Sequence, residues 1–402
     1  MAAGKVWVGI DVGKRFHHAC AVDQSGKTVF SRKVANGQAA IEQLIARTTA
    51  KAAEVVWAVD MTSGPAGLLI ALLRATGQPV LYVPGRLVNR MAGAFAGEGK
   101  TDAKDSRTIA ETARLRGDLT PVPDPDEVVT DLQVLTARRE DLMADWVRGV
   151  NRIRELLASI FPALERAFDY STRSALVLLT GFQTPDGIRE ADAAGLSAHL
   201  AEHGAWAPGI PSMVDKALAA AAEQTVALPG EAVTAPLIAR LARQLLDSDR
   251  EIKDLDKQLA DRFAGHPDAG PITSLDGFGP ILGAQQLAGT GGDLQTAFRS
   301  PGHLAAYAGL APVPRDSGRI RGNLHRPQRY HRGLRRVFYL AALSAIKRPD
   351  SPSRTFYLRK RSEGKRHTQA LIALARRLAD VIWALLRDRR EFHPSPPAAA
   401  AA

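Results

Sequence analysis

At 402 residues, 45% hydrophobic and 24% charged, the chain is too long for one small core and reads as an ordinary globular protein of two or three domains. A single cysteine, Cys20, excludes an intramolecular disulfide and fits a reducing cytosol; no apolar run approaches the roughly 20 residues needed to span a bilayer, and no secretory signal pattern precedes the first strand, so a cytoplasmic location is expected. The net charge of +11 is segregated: Arg299 to Glu391 carries 22 Lys or Arg against 6 Asp or Glu, and a basic segment without a membrane-seeking helix points to nucleic acid.

The first stretch, Val6 to Asp11 (VWVGID), reads as a short buried strand ending in a carboxylate. Turns at Gly13-Lys14 and Ser25-Gly26 divide the residues that follow into a three-strand meander. Gly37 to Thr49 carries Ile41, Leu44 and Ile45 at helical spacing, and Glu54 to Val59 returns as a strand ending in Asp60. Pro65 to Thr76 predicts a helix opened by Pro65, Val80 to Val83 a strand, and Arg86 to Phe95 a shorter helix. In GEGKTDAKDSRTIAETARLR, Gly97 and Gly99 make a flexible approach and Thr101 or Asp102 can cap a helix running to Arg116. Asp102 and Asp105 share one face of its first turn.

Taken singly, these acids have ordinary explanations. A strand-end Asp caps turns, and acids in a first helical turn complement the macrodipole. Taken together, three strands, a helix, a strand, a helix, a strand and a helix, with acids on the first strand, the fourth strand and a late helix, are the layout of a ribonuclease-H-like fold. Four converging carboxylates repel one another unless cations neutralise them. Hard oxygen ligands suit Mg²⁺ or Mn²⁺, and a pair of such ions is the standard device for in-line attack on a phosphodiester.

Gly117 to Glu127 (GDLTPVPDPDE) is a proline-rich linker, so residues 1–120 are expected to form the acidic domain. Residues 121–265 are expected to be a helical segment. Leu132, Leu135, Leu142, Trp146, Val150, Ile153, Leu157 and Ile160 form a stripe long enough to reach beyond one small core, ended near Pro162. Residues 163–230 look helical and carry little chemical information. Ile238, Leu241, Leu245, Ser248, Ile252, Leu255 and Leu259 then alternate spacings of three and four, predicting a coiled coil or an antiparallel partner for the earlier long helix.

Residues 266–390 form the basic domain. In SLDGFGPILGAQQLA, Gly277 and Gly279 mark a tight turn between two short helices that would let backbone N–H groups approach a phosphate; a plain helix-helix turn is the alternative. Ser317 and Gly318 sit in a loop among Arg315, Arg319, Arg321, Arg326 and Arg329. A helix opening at Gly333 would turn Arg335 and Arg336 toward phosphates. A hydroxyl in such a loop can be a phosphate ligand, a turn former or a nucleophile; the residues alone favour the turn former, since no His or Asp at hydrolase spacing accompanies it. Aromatic and Arg-rich helices follow over Phe356 to His367 and Ala370 to Arg390, and residues 391–402 are expected to be a disordered tail.

GIDVGK, GEGKTDAKDSRTIAE, LDGFGPILGAQQLAG, FRSPGHLAAYAGLAPVPRDSGR and HRGLRRVFYLAALSA, in that order, resemble the IS110-family transposases over nearly the whole chain from Val6 to Arg390, apart from the middle helices. The resemblance implies a RuvC-like acidic domain, a coiled-coil segment and a C-terminal transposase domain, with an acidic tetrad on Asp11, Asp60, Asp102 and Asp105 holding Mg²⁺. The family's second acid is commonly Glu, so Asp60 is a departure whose shorter reach bears on metal geometry. Its serine nucleophile matches Ser317 in RDSG, with Ser300 and Ser344 as weaker matches. The resemblance implies further that this serine attacks DNA to form a covalent phosphoserine, that a bridge RNA pairs with target and donor DNA, and that the protein acts as a homo-oligomer, a dimer or tetramer.

Three other functions fit parts of the pattern. A hydrolytic RuvC-like nuclease would use water as nucleophile. A nucleotide-binding ATPase would use VGIDVG as a phosphate loop but lacks a later Asp-Gly-Gly-type loop. A catalytically silent nucleic-acid-binding protein would need only the basic domain.

Overall fold

The computed structural model describes residues 3–93, 101–319 and 321–394, and the chain divides into two compact units, 1–124 and 125–402. Gly97 and Gly99 lie outside the described residues.

The first unit is built on a five-stranded sheet. Its elements are β1 (Ala3–Asp11), β2 (Phe16–Val22), β3 (Thr28–Ala35), α1 (Gln38–Thr49), β4 (Ala52–Val59), α2 (Gly67–Ala75), β5 (Val80–Tyr82), α3 (Gly85–Ala92) and α4 (Asp102–Leu115). The strand order is β3-β2-β1-β4-β5, with β1, β2 and β3 antiparallel in sequence and β4 parallel to both β1 and β5. The meander and the returning strand follow the sequence expectation.

Alternation along β1 decides what each face holds. Val6, Val8 and Ile10 pack with Trp57 and Val59 of β4 against Ile41, Leu44, Leu69 and Leu73 of α1 and α2. Trp7, Gly9 and Asp11 therefore project to the other face, where Trp7 meets Ile109 and Ala110 of α4. Helix α4 lies directly on Gly9. A β-carbon there would stand 2.2 Å from the Ser106 carbonyl oxygen and 2.2 Å from the Ala110 nitrogen, so only glycine permits this approach. The far end of α4 reaches the β2–β3 turn, where Arg114 donates to the Gln24 carbonyl at 3.2 Å. Helix α4 thus runs antiparallel to β1, and its first turn falls at the strand's C-terminal end.

The expected free linker is partly structured. The Tyr82 N–H donates to the Thr120 carbonyl at 3.0 Å, and the Val122 N–H to the Val80 carbonyl at 2.8 Å, so residues 120–122 border β5. Pro121 is tolerated because an edge segment does not require its missing N–H.

The second unit begins with α5 (Glu127–Ile160), capped by Asp126, whose Oδ1 accepts from the Val129 N–H at 3.0 Å. It continues through α6 (Pro162–Ala167), α7 (Arg173–Gly181), α8 (Pro185–Glu202), α9 (Ile210–Ala222) and α10 (Glu231–Ala264). The long helices α5 and α10 pair antiparallel: Asp131 meets Arg262 at 3.0 Å, Arg138 meets Glu251 at 2.7 Å, and Gly149 lies beneath Leu245. At 34 residues each they extend about 50 Å and join two cores. One core gathers Ile153, Leu157, Leu176, Leu196, Val214 and Ile238 with α6–α9. The sequence-silent stretch 163–230 is therefore a packed module.

The other core joins the opposite ends of α5 and α10 to α11 (Ala269–Ser274), α12 (Pro280–Thr290), α13 (Leu294–Ala297), α14 (Pro301–Tyr307), α15 (Arg332–Ala345), α16 (Pro352–Ser362) and α17 (His367–Asp388), and the exposed short strands β6 (Val313–Pro314) and β7 (Leu324–His325) pair between α14 and α15. Leu132, Leu259, Phe263, Leu287, Phe338, Leu378 and Ile382 are its centre. The disordered tail was expected to start at 391, yet Glu391 to Pro394 are described, and the Phe392 N–H donates to Ser274 Oγ at 2.8 Å. The half-buried Phe392 ring packs this segment against the core; residues 395–402 lie outside the described residues. Among the described residues no helix is long and apolar enough to cross a membrane.

Candidate functional site

The acids of the first unit converge because of register. Parallel pairing sets Ile10 opposite Val59, which brings Asp11 and Asp60, each one residue further on, to neighbouring strand ends. Both have the parity of Gly9 and Ala58, the face covered by α4. The first turn of α4, capped by Thr101 accepting from the Lys104 N–H at 3.2 Å, supplies Asp102 and Asp105 at this same end.

Asp60 reports the resulting field. Burial, then the like charge of Asp105, push its carboxyl above the ordinary range, against the opposing hydrogen bond from the Val12 N–H at 3.3 Å. The Tyr82 phenol is raised too, by burial and then by the Asp60 charge. Asp102 is exposed and Asp105 half-buried, so these two acids of one turn differ in their access to solvent.

Two residues absent from the sequence reading hold the turn beyond Asp11. The Gly13 N–H donates to Nδ1 of the buried His17 at 3.3 Å, and Asn36 Nδ2 donates to the Lys14 carbonyl at 3.2 Å. Lys14 and Arg15 are thereby displayed on a fixed turn beside the acids. The His17-His18 pair at the start of β2, of which His17 is the buried member, was the available signal.

Among the described residues no three carboxylate, imidazole or thiol groups stand close enough to hold an ion. The donor set consists of carboxylate oxygens, the kind of donor that suits a hard divalent cation.

In the second unit Ser317 is exposed on the loop joining β6 and β7. The loop is closed at its base: the Arg315 N–H donates to the Asn323 carbonyl at 2.8 Å, and the Asn323 N–H to Asp316 Oδ1 at 3.0 Å. Gly318 at φ +54 and Gly322 at φ +78 supply left-handed conformations on either side of the tip. Arg315, Arg319, Arg321, Arg326 and Arg329 are all exposed around it. Ser300, by contrast, caps α14, its hydroxyl accepting from the His303 N–H at 3.3 Å, and Ser344 lies near the end of α15.

Arg336 is exposed on α15, whereas Arg335 is half-buried with its guanidinium 5.0 Å over the Tyr330 ring. Its Nη1 is buried with no hydrogen-bond partner among the described residues. Gly277 and Gly279 also separate in role. Gly277, at φ +96, is pressed on α15, where a β-carbon would stand 2.1 Å from the Ala341 carbonyl oxygen, so its glycine character answers to packing. Gly279 is exposed at the N-terminus of α12, without a side-chain cap and with open space around it.

Both parts of the chain match transposases. A family model described as a transposase, of the IS110 DEDD type, matches residues 8–162, which include all four acids. A second, described as the transposase IS116/IS110/IS902 family, matches residues 269–358, which include Ser317. The chain is 51% identical over 394 residues to the 44.8 kDa protein of insertion element IS116 from Streptomyces clavuligerus, covering 98% of this chain and 97% of that one. It is 50% identical over 402 residues to the 42 kDa protein of insertion element IS900 from Mycobacterium paratuberculosis, covering 99% and 100%. To the 43.6 kDa protein of insertion element IS110 from Streptomyces coelicolor it is 34% identical over 400 residues, covering 98% and 96%. The chain belongs to the IS116/IS110/IS902 family of transposases, proteins of mobile elements that act on DNA.

Proposed function

We propose that this transposase cleaves and exchanges DNA strands through a covalent phosphoserine on Ser317, with divalent cations held by Asp11, Asp60, Asp102 and Asp105. The observation that supports the reading is the placement of Asp11, Asp60 and the first turn of α4 at one end of the sheet. The strand order β3-β2-β1-β4-β5, with an antiparallel meander followed by parallel strands, supports a ribonuclease-H-like, RuvC-like domain.

In the proposed step the Ser317 hydroxyl oxygen bonds to phosphorus, one phosphodiester P–O bond breaks, the serine proton passes to solvent, and the displaced DNA oxygen takes up a proton. The arginines around the loop hold the phosphate and offset charge gathering on its oxygens. Mg²⁺ or Mn²⁺, when bound, would supply Lewis-acid stabilisation of that charge. Acids and serine lie in different compact units of the chain, which supports assembly as a homo-oligomer, a dimer or tetramer, in which the two sets meet. The antiparallel α5–α10 pair is the proposed coiled-coil element of that assembly. The basic surface supports binding of a bridge RNA beside donor and target DNA.

In a second reading water attacks the phosphodiester and Ser317, exposed among the loop arginines, only holds phosphate. Trapping a protein–DNA adduct with parent and Ser317→Ala proteins separates the two. The covalent reading expects an adduct and strand exchange in the parent and neither in the variant; strand exchange by Ser317→Ala would overturn it.

A further inference from the structure

Between the β6–β7 hairpin and the start of α15 lies an open basin of about 440 Å³, lined by Arg315, His325, Arg326, Gln328, Tyr330 and Arg332. No carboxylate is among its lining residues. Val313 pairs with His325 and Pro314 with Leu324, and the Arg315 N–H, just past β6, donates to the Asn323 carbonyl at 2.8 Å, which keeps Arg315 beside the start of β7.

The Tyr330 ring is fixed from three sides. Gly309, at φ +67, leaves room for it, since a β-carbon there would stand 2.4 Å from the ring. Arg335 covers its face at 5.0 Å, and Arg326 Nη2 donates to its hydroxyl oxygen at 3.3 Å. The phenol pKa is lowered, chiefly by that Arg326 bond. A phenol oxygen that accepts from a guanidinium keeps its own O–H to donate, so Arg326 and Tyr330 present two kinds of donor to one anion. A merely solvated cationic surface has no need of a half-buried guanidinium bracing an aromatic ring.

We propose that this basin is a phosphodiester subsite, in which Arg326 and the Tyr330 hydroxyl grip a DNA backbone phosphate beside the one presented to Ser317. Arg315, two residues before the serine, belongs to both. The subsite rests on reading the chain as a DNA-cleaving transposase with Ser317 as nucleophile. Its chemistry is that of backbone positioning: it fixes register and carries no base specificity.

The test measures equilibrium binding of a short fluorescein-labelled DNA duplex in EDTA-containing buffer, on full-length Ser317→Ala protein so that no covalent capture contributes. Adding Arg326→Gln is expected to weaken binding about tenfold, irrespective of duplex sequence, and to reduce the slope of log K against log salt by about one. Adding Tyr330→Phe, which keeps the packed ring, is expected to weaken binding about threefold to tenfold with the salt slope unchanged. Unaltered binding by Tyr330→Phe would overturn the proposal, as would a loss confined to an RNA duplex of the same length. Should Arg326→Gln lower the melting temperature, Tyr330→Phe decides alone. Strand exchange by the Ser317→Ala parent would remove the nucleophile assignment, while the binding series would still decide whether the basin holds phosphate.

Discussion

Gly9 in the central strand and Ser106 in α4 are in direct backbone apposition: a β-carbon on Gly9 would fall 2.2 Å from the Ser106 carbonyl oxygen. That contact holds the acidic turn of α4 over the strand ends carrying Asp11 and Asp60. Gly9→Ala should push the helix outward, costing about 1–3 kcal/mol as overpacking does and lowering DNA cleavage more than stability alone explains. Denaturant melts together with a cleavage assay check this; a variant with normal stability and normal cleavage would contradict it.

Burial, with a smaller contribution from the Asp105 charge, raises the Asp60 carboxyl. Asp60→Asn keeps an oxygen to accept from the Val12 N–H while removing one charge. It should melt at a higher temperature than the parent in EDTA; if the proposed metal site is real, the parent should gain stability on adding Mg²⁺ and the variant should not, with DNA cleavage abolished. Melting curves with and without Mg²⁺ read both effects, and an unchanged Mg²⁺ response would remove Asp60 from the ligand set.

His331 caps α15, its Nδ1 accepting from the Leu334 N–H at 3.0 Å, and burial lowers its pKa despite the nearby Glu140 charge. In the unfolded chain the ring titrates near its ordinary value of about 6.5, so below that pH the unfolded state binds the extra proton first. The cap's contribution is therefore present above about pH 6.5 and is lost as pH falls toward the lowered folded value. Between about pH 7.5 and 5.5 the parent should lose more melting temperature than His331→Asn, which caps without titrating. Equal losses would remove His331 as the cause.

Gly277 and Gly279 should respond oppositely to a methyl group. Gly277→Ala combines positive φ with a clash against the Ala341 carbonyl, so a loss of about 1–3 kcal/mol or more is expected. Gly279→Ala enters open space at φ −90 and should stay within about 0.5 kcal/mol of the parent. Chemical denaturation of both variants distinguishes packing from a shared role at the turn.

The placement of the four candidate acids on their elements was legible in the chain itself. Period-two alternation in VWVGID already puts Asp11 on the face of Gly9, and EVVWAV does the same for Asp60. The Thr101 cap and the acids after it were equally visible. The edge pairing of residues 120–122 was hidden because the prolines that permit it also read as linker. Tyr330 escaped notice among arginines because its importance lies in the neighbours that pin it, one of them Gly309, some twenty residues earlier.

The sequence by itself determined the element types, the order of the four acids, the segregation of positive charge and the resemblance to one transposase family. These are properties of single elements or of composition, and periodicity reports them directly. Only the tertiary structure decided that Gly9 admits α4, that burial raises the Asp60 carboxyl, that Gly277 serves α15 and that Arg326 and Arg335 brace Tyr330. Each depends on how closely two elements approach, and that distance is set by the packing of both at once.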